Sequence, residues 1–103
     1  MKTLKKVTII YKHVEVMPDD EDYEENVVYI SRKYGVSIHK CLCGCGLKTV
    51  LPFYENDDAD AFDKKHGWRM IEKDDKITFK PSILNPPPCK SHYIITKNIA
   101  NFV

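Results

Sequence analysis

A mostly β fold, a small antiparallel β-sandwich or open barrel with one short helix, is what this sequence predicts, and three observations carry it. Short segments rich in Val, Ile, Tyr and Phe recur along the chain with near-alternating polarity, the pattern of half-buried strands. Turn-forming residues separate them at Tyr34-Gly35, Lys73-Asp74-Asp75 and Lys97-Asn98. Cysteines occur in two places, Cys41-Leu42-Cys43-Gly44-Cys45-Gly46 and Cys89-Lys90-Ser91-His92, as in a zinc knuckle that ties the middle of a small β domain to its end.

A chain of 103 residues forms one domain, 1–103, at the small end of what a single core stabilises, and a metal staple suits that size. The composition, 43% hydrophobic and 30% charged, is that of a globular protein, and a net charge of +1 creates no field that recruits nucleic acid or an acidic membrane. Lys and Arg are interleaved with acids, without a basic stripe, which ranks nucleic-acid binding low.

Lys6 to Val16 reads as the first strand. Its apolar run stops at Tyr11-Lys12-His13, too short for the core of a signal peptide, and no segment approaches the ~20 apolar residues of a membrane helix. A cytoplasmic location is therefore expected, with the cysteines as thiolates for a metal rather than as disulfides. Pro18 to Glu25 is acidic and reads as a solvated connection. Asn26 to Ile30 is a second strand, ended by the Tyr34-Gly35 turn.

Val36 to Cys43 resumes an extended pattern that puts His39, Cys41 and Cys43 on one face. Lys48 to Phe53 is its returning strand, with Pro52 marking an edge or strand end. Asn56-Asp57-Asp58 caps the one expected helix, running to about His66 and closed by Gly67. Trp68–Glu72 and Lys76–Lys80 form a hairpin. Pro81 to Pro88 reads as loop, because its three successive prolines lack amide donors. His92–Thr96 and Ile99–Val103 close the chain as a last hairpin.

Five candidate ligands compete for four tetrahedral positions: Cys41, Cys43, Cys45, Cys89 and His92. Cys89 and His92 share a tight turn behind a stiff proline approach and are the firmest pair. Which two of the other three complete the set is left open by the spacing. Lys40, Lys48 and Lys90 stand beside the ligands and can offset thiolate charge, while Gly44 and Gly46 allow backbone amides near the sulfurs. His39 is expected beside the site or facing solvent rather than as a ligand, and His13 and His66 at the surface.

These residues resemble a family of small bacterial proteins of unknown function. The shared features are Val28-Tyr29-Ile30-Ser31, the His39–Gly46 box, Trp68, Pro81-Ser82-Ile83, and Cys89-Lys90-Ser91-His92-Tyr93-Ile94-Ile95. The resemblance implies zinc binding and, in some genomes, genes that neighbour ubiquitin-like conjugation components. It implies no established activity. This chain departs from the family by a longer acidic stretch, Glu55 to His66, and its end, Asn101-Phe102-Val103, is not the diglycine tail of a ubiquitin-like modifier.

The leading expectation is thus a structural Zn²⁺ domain that serves as an accessory or adaptor for a protein partner. No recognisable base, nucleophile or phosphate loop surrounds the ligands, so the balance is against an enzyme. The alternative is a 2Fe–2S electron-transfer protein: Cys-x-Cys with a distant Cys-x2-His partly resembles Rieske and mitoNEET-like boxes. An enzymatic variant would use a spare Cys45 as nucleophile or an open zinc position.

Overall fold

The computed structural model describes residues 6–55, 65, 67–85 and 90–103. Among these described residues ten strands form two sheets: β1 (Lys6–Thr8), β2 (Ile10–His13), β3 (Val27–Ser31), β4 (Val36–Lys40), β5 (Lys48–Tyr54), β6 (Trp68–Lys73), β7 (Lys76–Lys80), β8 (Ile83–Leu84), β9 (His92–Thr96) and β10 (Ile99–Phe102). One sheet has the order β1-β10-β9-β8. The other, a curled half-barrel, runs β2-β3-β4-β5-β6-β7. The expected helix falls on residues 56–64 and 66, outside the described residues.

The expected first strand is two strands. Ile9 is buried and donates its N–H to the Asn98 carbonyl, so the chain passes at that residue from one sheet to the other. β1 then pairs antiparallel with β10, and β2 pairs parallel with β3. A second parallel pair joins β5 and β6 at Phe53–Trp68. The fold is therefore mixed rather than purely antiparallel, because long connections precede β3 and β6. Pro52 sits where this pairing has not yet begun. Phe53 N–H points at Gly35 across the β4 ladder, so the proline nitrogen faces the other side, where no donor is required.

Local chemistry explains the tight turns. Asp74 and Asp75 both take positive φ, as do Lys97 and Asn98, giving the backbone twist that matches two-residue hairpins. The two hairpin tips also touch: Asn98 receives Ile77 N–H on its side-chain oxygen and donates its own N–H to the Ile77 carbonyl. That exchange locks one sheet against the other. Between them lie Val28, Ile30, Leu51, Met70, Ile77, Phe79, Ile83, Tyr93 and Ile95, all almost wholly buried.

β3 is buried on both faces. Its second face, Val27 and Tyr29, is covered by Tyr23 from the acidic connection, whose ring meets Tyr29 edge-on at 5.2 Å. The connection is thus a lid as well as a solvated segment. Asp20, Glu24 and Glu25 pair with Lys48, Lys12 and Lys40, respectively. Lys40 and Lys48, which the sequence sets beside the thiols, thus also pair with the acids of this connection.

Candidate functional site

β4 ends at Lys40, and the next residues curl into a knuckle. Cys41 N–H donates to the Leu47 carbonyl at 2.7 Å and Gly44 N–H to the Cys41 carbonyl at 3.0 Å. Gly44 and Gly46 adopt φ of 87° and 86°, a region that only glycine enters cheaply, although a Cβ would meet nothing within 4 Å at either. Backbone conformation, not crowding, requires them. The curl gathers the sulfurs of Cys41, Cys43 and Cys45 within 4.8 Å of one another, grading from buried through half-buried to exposed.

These three thiols could hold a metal ion. The donor set fits a soft or borderline cation, and its surroundings supply the polar contacts that thiolates accept. Cys41 Sγ lies 3.0 Å from Ser91 Oγ and receives a long contact of 3.6 Å from Asn85 Nδ2. Asn85 in turn donates to Ser91 Oγ at 2.9 Å and accepts from Thr49 Oγ1 at 2.7 Å. Cys89 lies outside the described residues. The nearby Ser91 nonetheless brings the C-terminal box against the knuckle, across 50 positions of sequence.

Three consecutive residues of that box do three different things. Ser91 meets the knuckle, Tyr93 enters the core and hydrogen-bonds His39 Nε2 at 2.7 Å, and His92 between them turns to the opposite face. There its Nε2 lies 2.7 Å from Ser82 Oγ. The His92 ring is not part of the thiol group, and among the described residues no carboxylate bonds its other nitrogen. Trp68 Nε1 donates to the Ser82 carbonyl at 3.4 Å, which holds the serine from behind. A serine hydroxyl on an imidazole, both half-buried, is an arrangement suited to nucleophilic attack.

His39 is not at the surface; its Nε2 bonds Tyr93, which itself neighbours Cys41. It is fully buried, its Nδ1 has no hydrogen-bond partner, and burial pulls its pKa down to about 4. It is neutral at physiological pH. Burial likewise pushes the Tyr93 phenol up, with hydrogen bonds to Asn85 and Thr49 acting the other way. His13, expected as a lone surface residue, contacts Glu72 at 2.9 Å.

Ser82 was not among the candidate residues read from the sequence, where Pro81-Ser82-Ile83 stood only as a segment of the family resemblance; its contact with His92 appears in the folded chain.

Fold and site together define a small two-sheet β protein with a thiol knuckle at one sheet end and a serine–histidine pair formed where β8 and β9 lie side by side. Residues 13–103 match the family model described as "Bacterial ubiquitination-like system serine protease (BubE)", and the chain belongs to this family. The family is part of a bacterial ubiquitination-like system, a setting that implies protein partners. No curated protein and no solved structure matches the chain. Among the described residues no helix is long and apolar enough to cross a membrane.

Proposed function

We propose that this chain is a serine peptidase acting on a protein of a ubiquitination-like system, with Ser82 as nucleophile and His92 as its base, and with the thiol knuckle as a structural metal centre. The 2.7 Å contact between Ser82 Oγ and His92 Nε2, in a chain whose family is described as a serine protease, carries this reading. Ser82 Oγ would attack the scissile carbonyl while its proton passes to His92 Nε2. The imidazolium then returns that proton to the departing amine, leaving an acyl-serine. Water, deprotonated by the same nitrogen, releases the acid and restores the serine.

In this reading the metal ligands are Cys41, Cys43, Cys45 and Cys89, and His92 is kept for Ser82. A thiolate-rich shell suits Zn²⁺ in a closed structural site, which would fold the knuckle and attract no substrate. The donor chemistry is shared with 2Fe–2S clusters, so elemental analysis and an absorption spectrum of anaerobically purified protein distinguish the two. The adaptor role expected from sequence becomes narrower: the partner is the substrate. A cytoplasmic location follows from the thiol chemistry and belongs to the same proposal.

The test is labelling with a fluorophosphonate, which requires an activated serine. Wild-type protein is expected to label at Ser82, and Ser82→Ala and His92→Ala to label at least ~100-fold more slowly with their metal content unchanged. Loss of metal on His92→Ala would instead assign that imidazole to the ion, and absence of labelling at Ser82 in well-folded wild-type protein would remove the peptidase reading.

A further inference from the structure

The four-stranded sheet ends at β8, directly beside Ser82, and the geometry of that edge is specific. Asn85 N–H donates to the Ser91 carbonyl at 2.9 Å, and Ile83 stands opposite Tyr93. Hydrogen bonding alternates along an antiparallel ladder, so Ile83 and Asn85 face β9 while Leu84, opposite His92, turns its N–H and C=O away from the sheet. Among the described residues neither group has a hydrogen bond, and Leu84 is 68% exposed. Ser82 also turns its carbonyl outward, but Trp68 Nε1 occupies it. Among the described residues the open edge therefore begins at Leu84 and ends at Ser82.

We propose that this edge is the strand-docking site for the acyl side of the substrate, an extended chain segment of the partner protein that adds antiparallel to Leu84. The proposal rests on the peptidase reading and deepens it. Direction follows from chain polarity: β8 runs from Ile83 to Leu84, away from Ser82, so an antiparallel strand runs toward its own C-terminus as it approaches Ser82 Oγ. Its second or third residue before the scissile bond then exchanges both backbone hydrogen bonds with Leu84, and Trp68 stops further pairing where the bond must be cut.

Side-chain preference follows from the same register. Val103 N–H donates to the His92 carbonyl, continuing the ladder so that Val103, His92 and Leu84 form one row on the outer face. Val103 is 62% exposed, so the imidazole is flanked by two uncovered aliphatic side chains. A substrate residue paired with Leu84 extends that row, and an aliphatic side chain there covers surface that is otherwise wet. Exclusion of water from the Ser82–His92 contact is the added consequence.

A library of coumarin-amide pentapeptides, read for hydrolysis alongside fluorophosphonate labelling, tests this. The expected results are a preference for Val, Ile or Leu at the second or third residue before the cut, and about a tenfold rise in KM when that one residue is N-methylated. Leu84→Glu is expected to raise KM similarly with the labelling rate of Ser82 unchanged, since the small probe needs no edge. Normal labelling with KM indifferent to both changes overturns the docking site and leaves the peptidase reading standing. No labelling removes both. A wild-type dimer that Leu84→Glu converts to monomer, with peptide KM unchanged, would make the edge a self-association surface and also overturn the proposal.

Discussion

Two polar clusters join distant parts of this chain, and they are opposites in physical character. One is buried and links the knuckle to the last hairpin through Cys41, Ser91, Asn85, Thr49, Tyr93 and His39. The other is exposed and crosses the curl of the larger sheet. There Glu72 of β6 accepts from Tyr11 at 2.7 Å and Arg32 at 2.7 Å, and meets His13 at 2.9 Å, while Arg32 also grips Glu55 with two nitrogens. Both look like fasteners, but the dielectric around them differs. A neutral donor stranded in the interior costs the full desolvation of that group, whereas water replaces most of what a surface ion pair loses.

That contrast predicts the largest effect at the knuckle. If the proposed metal centre is filled in solution, Cys41→Ser or a strong chelator is expected to empty it and cost about 3–5 kcal/mol, read as a fall in Tm of more than ~10 °C. Unchanged melting of metal-free protein would show that the buried cluster holds without its ion. The next effect is on pH. His39 is held at about 4 in the folded chain against 6.5 as its ordinary value, so the unfolded state binds the extra proton between those limits. Its contribution is complete above pH 6.5 and is lost as pH falls toward 4, by about 3 kcal/mol at most. His39→Gln should flatten urea-midpoint stability over that window, and a slope identical to wild type would place the acid sensitivity elsewhere.

Tyr93→Phe should follow in size. It removes the hydroxyl from His39 Nε2, leaving both ring nitrogens buried without a partner, and is expected to cost about 1–3 kcal/mol in chemical denaturation. Glu72→Gln sharpens the other half of the comparison. Hydrogen bonds from His13 and Tyr11, and then Arg32, hold the Glu72 carboxyl down to about 2. Its stabilisation is present above pH 4.5 and is lost as pH falls toward 2. Because the partners are solvated, the substitution should cost no more than ~1 kcal/mol near neutrality, and less in molar salt. A loss equal to that of Tyr93→Phe would erase the distinction between the clusters.

The legible parts of the fold were those whose signal is local. The β6–β7 and β9–β10 hairpins, the Gly35 turn and the cysteine curl follow from alternation and from residues that tolerate positive φ. What escaped were features set by partners far away in sequence. Ile9 switches sheets because Asn98 accepts its N–H and the core takes its side chain, and nothing within Lys6 to Val16 marks that position. β8 forms inside a proline-rich stretch because β9 offers it a ladder. At the site, the three gathered thiols were readable from spacing, yet the Ser82–His92 contact spans ten positions and joins the segments that open two strands, so no local pattern announces it.

Sequence alone determined a small β domain with a knuckle at Cys41–Gly46 whose three thiols could hold a metal ion, because turn conformation and thiol spacing are properties of a few adjacent residues. Only the tertiary structure decided what each residue of Ser91-His92-Tyr93 faces. Alternation along a strand sends neighbours to opposite sides, but which side meets a thiol, a serine or a buried histidine depends on the strands packed against it.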